Sequence, residues 1–333
     1  MRGKIISVLV SFALLLAFCI PAHAAAKYTM RFANCTAKDF SWGRAAEEFK
    51  KDLEEASNGQ IEVQVFHSSS LGTNREVAEL LRMGTADFMI AGSTHVTSYV
   101  PQLGVIVFPY LWKDRQTMFQ ALDGDIGKTF SGLLAKKGLV LLDWWDNGFR
   151  DVTTKSKPIM SVADMKGLRI RTLPVNVLVA FFKALGAAPT PVGWSELYTA
   201  LQQGVVDAEE NPPAMIYFAK FQEVQKYLSL TKAINEPGVL LMSEKVMNKL
   251  PPELQQAVRV AAQKATMWQR PANAKDNQEF LEKLSQAGMK VNEVPPQNLA
   301  EFKKIALSVY PEATKDLGEG GQELLDRLVS FNK

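Results

Sequence analysis

The sequence predicts an α/β protein of two lobes around a ligand cleft, and three observations lead there. Strands and helices alternate with short connections through most of the chain. A strand–helix–strand pattern that begins near Leu71 returns near Val192. Helical periodicity then runs from Glu253 to about Ala287, interrupted by Pro271. Such a length suits a hinge-side helix that spans both lobes and kinks at the proline.

The first residues are read apart from the fold. Met1-Arg2-Gly3-Lys4 is basic, Ile5 to Ile20 is apolar, and Pro21-Ala22-His23-Ala24 supplies an A-x-A cleavage site. Residues 1–24 therefore read as a secretory signal peptide. A retained anchor fits less well because the apolar run is short. A lipoprotein through Cys19 fits less well because Phe18 stands where a small residue is wanted. Cleavage removes Arg2 and Lys4 and no acid, so the formal charge falls from +3 to +1. A near-neutral chain gives no support to nucleic-acid or polybasic membrane binding. Cys35 then stands alone, so no internal disulfide is expected and the core must hold the fold. No later segment approaches a membrane span, and the expected product is soluble, exported and, in a bacterium, periplasmic.

Lys27 to Asn34 alternates as a strand. Ser41 is placed to cap a helix through about Ser57, with Trp42, Ala45, Ala46, Phe49 and Leu53 on one face. Asn58-Gly59 turns the chain into the strand Ile61–Phe66. A helix over about Asn74–Met83 leaves through Gly84 into the strand ADFMIA. The run LGTNREVAELLRMGTAD is echoed by VGWSELYTALQQGVVD, each with a Gly before the helix, a Gly after it and an Asp leading into a strand. Gly104 to Trp112 is apolar and buried, and two short helices fill Arg115 to Lys137. Gly138 to Trp145 reads as a buried strand, Asp146-Asn147-Gly148 as a turn, and Phe149 to Thr153 as the strand that first crosses between lobes.

Lys166 to Asn211 reads as strand, helix, strand, helix, strand, with a notable side chain near each crossover. Arg169 and Arg171 share one face of a short strand, Trp194 opens a helix, and Glu209-Glu210-Asn211 precedes a proline pair. Strand-end loops of an open α/β layer line the crevice where ligands bind. There an arginine offers a fork that fits a carboxylate, and a tryptophan offers a flat apolar wall. A helix to about Phe221, strands at Tyr227–Thr231 and Gly238–Met242, and helices at about Pro296–Val309 and Gln322–Phe331 complete the chain. The division expected is residues 25–148 with 237–275 for one lobe and 149–236 with 276–333 for the other.

The leader, LGTNREVAELLRMGTADF, WWDNGFRDVTT, MKGLRIRT, GAAPTPVGWSELYTALQQGVVDAEENP and FQEVQKYLSLT together resemble the solute-binding proteins of tripartite ATP-independent periplasmic (TRAP) transporters, closest to the dicarboxylate- and sialic-acid-binding type. The resemblance covers the whole mature chain. It implies the periplasmic solute-binding fold, a cleft that closes on an organic acid, delivery to a sodium-coupled membrane permease, and no chemistry on the ligand. By resemblance Arg171 makes the salt bridge to the ligand carboxylate, Asn211 hydrogen-bonds the same end, Arg150 lies near it, and Trp194 packs over the ligand. Asn34, Asn74 and Gly92 stand at positions that vary with ligand, and Ser93 lies in the same first-lobe loops. The sialic-acid type carries acids where this chain has Asn74 and Gly92, which argues against sialic acid and for a less acid-lined distal pocket.

Each assignment has a plainer rival. Arg171 on its own reads equally as a surface arginine, Arg150 as a partner of Asp151 or Asp146, Asn211 as a turn residue before Pro212, and Trp194 as core. Glu209 and Glu210 point to opposite strand faces and read as structural bridges rather than an acid–base pair. An enzyme is not expected. His67, His95 and Cys35 are too few for a metal set at ligand spacing, and no G-x-S-x-G, H-E-x-x-H or phosphate loop is present. No cofactor and no metal is expected. Transport and a ligand-binding sensor subunit would use the same cleft, so the residues leave both open, with a hydrolase as the remote third.

Overall fold

The computed structural model describes residues 26–332, so the leader over residues 1–24 lies outside the described residues. β1 (Tyr28–Asn34), α1 (Ser41–Ala56), β2 (Ile61–Phe66), α2 (Asn74–Met83) and β3 (Phe88–Gly92) open the first lobe. A 3₁₀ segment at Pro101–Val107, α3 (Arg115–Asp123), α4 (Asp125–Ala135) and β4 (Leu139–Trp145) follow. The chain then crosses to β5 (Phe149–Thr154), β6 (Arg169–Thr172), α5 (Asn176–Ala184), β7 (Ala188–Pro191), α6 (Leu197–Gln202), β8 (Ala208–Asn211), α7 (Pro213–Phe218) and β9 (Tyr227–Asn235). β10 (Gly238–Ser243) and α8 (Glu244–Met247) return to the first lobe, and α9 (Pro252–Gln286), β11 (Lys290–Glu293), α10 (Pro296–Ala313) and α11 (Gly321–Phe331) end the chain.

Among the described residues these strands form one sheet in the order β2-β1-β3-β10-β4 and another in the order β11-β9-β5-β8-β6-β7. β1, β2 and β3 run parallel, as do β6, β7 and β8, so their C-terminal ends share an edge in each lobe. Phe49 meets Phe32 and Phe88 of the first sheet edge-on, with ring centroids 5.4 Å and 4.9 Å apart. Burying each such ring contributes about 1.5–3 kcal/mol.

The echoed segments take the same local form. Gly84 and Gly204 leave their helices at positive φ, and Asp87 and Asp207 follow. Asp87 accepts from the Arg31 N–H of β1 at 2.6 Å, and Asp207 pairs with Arg169 of β6, so each acid ties its turn to the neighbouring parallel strand.

Three expectations change. Ser41 does not cap α1: Phe40 holds the cap position, and the Ser41 hydroxyl donates instead to Asn273 Oδ1 at 2.7 Å on α9. The strand that begins at Tyr227 continues to Asn235, because its later residues pair with β5. The last helix does not stay with the second lobe: α11 packs on the Pro101–Val107 segment and on α3, and Gln102 donates to the Glu319 carbonyl at 2.9 Å.

α9 runs unbroken through Pro271 for 35 residues, about 52 Å. It lies on α1 and β4 of one lobe and on α7 and β11 of the other. Its polar face grips the first crossing: Gln269 exchanges hydrogen bonds with the Asp146 backbone at 2.7 and 2.8 Å, and Asn273 donates to the Asp146 carboxylate at 2.6 Å.

Candidate ligand-binding site

The ends of β6 and β8 deliver Arg171 and Asn211, the start of β5 delivers Arg150, and β3 ends on Gly92. These edges face each other where open α/β sheets leave their crevice. Arg150, Arg171, Asn211, Trp194, Asn74 and Gly92 all line one cavity of about 30 Å³, room for about two waters.

Arg171 is buried, with 2% of its surface exposed. Its Nε donates to the Val192 carbonyl at 3.1 Å, while one terminal nitrogen has no hydrogen-bond partner among the described residues. Burial, and then the like charge of Arg150, hold this guanidinium below the usual arginine range. A desolvated cation with an open donor, facing a cavity, is arranged to receive an anion.

Arg150 is equally buried but already partnered. It reaches the Glu210 carboxylate through Nε, donates to the Glu210 carbonyl at 2.6 Å, and donates to Glu236 Oε2 at 3.0 Å. Burial works against its charge, but Glu210 and Glu236 outweigh burial and push the guanidinium up. Its strongest partners are therefore protein carboxylates, although its side chain lines the cavity.

Asn211 donates to Glu209, which also accepts from Thr153 Oγ1 at 2.6 Å. Burial pushes the Glu209 carboxyl up to about 7 against those two hydrogen bonds. Glu209 and Glu210 are thus structural, on opposite faces of β8, as alternation requires. Arg169, exposed at the start of β6, is held bidentate by Asp207 at 2.8 and 2.6 Å. Trp194 lies at the helix start, packs on Phe221 at 5.8 Å and donates from its indole to the Cys35 carbonyl at 3.1 Å. That bond joins the second lobe to the first across the cleft.

The first-lobe residues divide. Asn34 is not brought to the cavity: its amide donates to the Thr36 carbonyl at 3.0 Å and accepts from the Thr36 N–H at 3.1 Å, which shapes its own loop. Ser93 is buried, its hydroxyl has no partner among the described residues, and it does not line the cavity. Asn74 and Gly92 do line it.

Gly92 also corrects an expectation. A Cβ there would collide with Glu236 Oε1, so the space that a larger residue would take holds a carboxylate from elsewhere in the chain. The distal pocket is not acid-poor. Glu236 sits between β9 and β10, is 2% exposed, and accepts from Thr94 N at 3.2 Å as well as from the Thr94 hydroxyl and Arg150. Sequence reasoning missed it. The available signal was an acid beside Pro237 between two apolar strands, at a crossing of lobes. His95 also lines the cavity, and burial holds its imidazole low against the pull of Glu236. No cluster of three or more metal-ligating side chains occurs among the described residues.

A family model described as bacterial extracellular solute-binding protein, family 7, matches residues 32–316. The 2,3-diketo-L-gulonate-binding periplasmic protein YiaO of Escherichia coli is 35% identical over 266 residues, 80% of this chain and 81% of that protein. A TRAP periplasmic solute-binding protein from Sulfurospirillum deleyianum, solved with bound succinate, superposes with TM-score 0.87 at 33% identity, covering 91% of this chain and 98% of that one. The sugar acid binding protein DctPAm from Advenella mimigardefordensis, solved with galactonate, gives TM-score 0.89 at 28% identity, covering 93% and 99%.

Proposed function

Because this chain belongs to the family 7 bacterial extracellular solute-binding proteins, the solute-binding proteins of TRAP transporters, we propose that it captures a small organic acid between its lobes and delivers it to a membrane permease. The observation that carries the reading is the buried Arg171, whose open donor faces the cavity. The ligand carboxylate docks on that nitrogen and on the Asn211 amide, and Trp194 forms the wall above it. Arg150, held by Glu210 and Glu236, shapes the site from behind. The acids bound by the Sulfurospirillum and Advenella proteins support a carboxylate ligand.

Membership of a family of extracellular solute-binding proteins supports a receptor that hands its ligand on unchanged. Residues 1–24 direct export to the periplasm and are removed there. Residues 25–148 and 237–275, joined by α11, form one lobe, and the remainder forms the other. The bound ligand clamps the lobes, and it shifts them toward closure only by its greater affinity for the closed arrangement.

The test is a thermal-shift screen of the mature chain against organic acids, neutral sugars and amino acids. An acid at roughly a hundred times its Kd should stabilise the protein by about 2.7 kcal/mol. Arg171→Ala should weaken that acid at least roughly a hundredfold, since an anion left without its buried partner typically costs about 3–5 kcal/mol, while circular dichroism stays that of the folded protein. Shifts confined to neutral sugars, or wild-type affinity in the variant, would overturn the carboxylate clamp.

A further inference from the structure

We infer that the ligand carries a single carboxylate and a hydroxylated tail, and that Glu236 is the residue that excludes a second carboxylate; this rests on Arg171 holding the ligand's acid group. The first argument is a count of charge around the cavity. Of the cations that line it, Arg150 is engaged by the carboxylates of Glu210 and Glu236. Arg171 has no carboxylate within salt-bridge distance among the described residues. His95 is half-buried with Nδ1 beside the Thr94 hydroxyl at 3.3 Å, and its burial favours the neutral ring. One cation is therefore open to the ligand, and one ligand carboxylate satisfies it.

The second argument is the placement of Glu236. Its Oε1 accepts from Thr94 N at 3.2 Å and from the Thr94 hydroxyl, and its Oε2 accepts from Arg150 at 3.0 Å. Thr94 belongs to the first lobe and Arg150 to the second, so the carboxylate is pinned from both sides and cannot swing out of the cavity it lines. Gly92 makes room for it. An ionised carboxylate accepts about four hydrogen bonds and donates none. What remains open on Glu236 suits a ligand hydroxyl and opposes a second ligand carboxylate, because like charges juxtaposed in a buried site are strongly disfavoured. The Asn74 and Asn147 side chains on the same cavity add neutral polar groups that suit hydroxyls.

Matched acids test this by isothermal titration calorimetry. Gluconate and glucarate share six carbons and four hydroxyls, as do galactonate and galactarate, and within each pair only the second carboxylate differs. Succinate and 2,3,4-trihydroxybutanoate extend the comparison to four carbons. In the wild-type protein at least one hydroxylated monoacid should bind at least roughly a hundredfold more tightly than its diacid counterpart. Glu236→Gln, which keeps shape and loses charge, should narrow that ratio at least tenfold. The wild-type ratio decides the inference even if the variant does not fold. Diacids binding as tightly as monoacids or tighter, or a ratio unmoved by Glu236→Gln, would overturn this inference alone, provided that Arg171→Ala still weakens acid binding as predicted above. Loss of all acid binding, or binding indifferent to Arg171, would overturn the carboxylate reading itself and this inference with it.

Discussion

Two arginines of near-equal burial have opposite uses here, and the difference lies in what reaches each of them. Arg150 is 3% exposed and Arg171 2%, so both guanidinium groups are outside water. A buried charge is tolerated when it is paired and hydrogen-bonded. Glu210 and Glu236 supply that for Arg150, whereas a terminal nitrogen of Arg171 is left with no partner among the described residues. Gly92 belongs to the same arrangement at the scale of one atom, since a methyl group there would press on Glu236 Oε1. With Glu236 held by Thr94 and Arg150, Gly92→Ala should lower the urea unfolding free energy by about 1–3 kcal/mol. Combined with Glu236→Ala it should be non-additive by more than about 0.5 kcal/mol. Strict additivity in that double-mutant cycle would mean that the two positions do not meet.

At the scale of the element, β8 shows how one short strand serves two purposes. All four residues from Ala208 to Asn211 are buried, and alternation sends Glu210 toward Arg150 and Glu209 toward Thr153 and Asn211. Glu209 is pushed up to about 7 by burial, and Asp151 on the adjoining β5 is also pushed up to about 7 by burial. The ordinary values are about 4.3 and 3.9. Between those values and about 7 the folded state holds more protons than the unfolded chain. The stability these groups contribute is therefore fully present below about 4 and is lost as pH rises toward 7. His95, held low, acts in the opposite sense below about 6.5. The informative measurement is thus a difference. The thermal midpoint should fall more between pH 5 and pH 8 in the wild type than in Glu209→Gln, and equal slopes would contradict a neutral, buried Glu209.

Across the whole molecule, the cavity is lined by residues of both lobes, so an organic acid held there touches both at once. The crossings at Asp146–Gly148 and Glu236–Pro237, with α9 lying across both lobes, are the connections that must accommodate movement between the lobes. The Trp194 indole on the Cys35 carbonyl spans the opening from the other side. Trp194→Phe keeps an aromatic wall and removes this bond, worth about 0.5–1.5 kcal/mol. Ligand release followed by stopped-flow fluorescence should quicken by a few-fold to about tenfold, with the association rate changed less. An unchanged release rate would remove the bond from any role in holding the closed form.

What the sequence determined by itself was local. The helix from Asn74 to Met83 and the strand from Ile61 to Phe66 were legible because periodicity and turn residues act over neighbouring positions. The long helix was legible from Glu253 to about Ala287, although the sequence pattern is interrupted at Pro271 and the helix itself runs through it. The family pattern named Arg171, Asn211 and Trp194, and the fold brings those three to one cavity. β11 escaped notice because a four-residue strand carries too little pattern of its own, and it exists through its pairing with β9. Asn34 and Ser41 looked available for a ligand and a cap, but Thr36 two residues on takes the Asn34 amide and long-range packing gives Ser41 to Asn273. The tertiary structure alone decided which arginine is open, because the carboxylates that engage Arg150 come from 60 and 86 residues away. Charge pairing in a buried site depends on which groups fold brings within a few ångströms, and no local pattern records that distance.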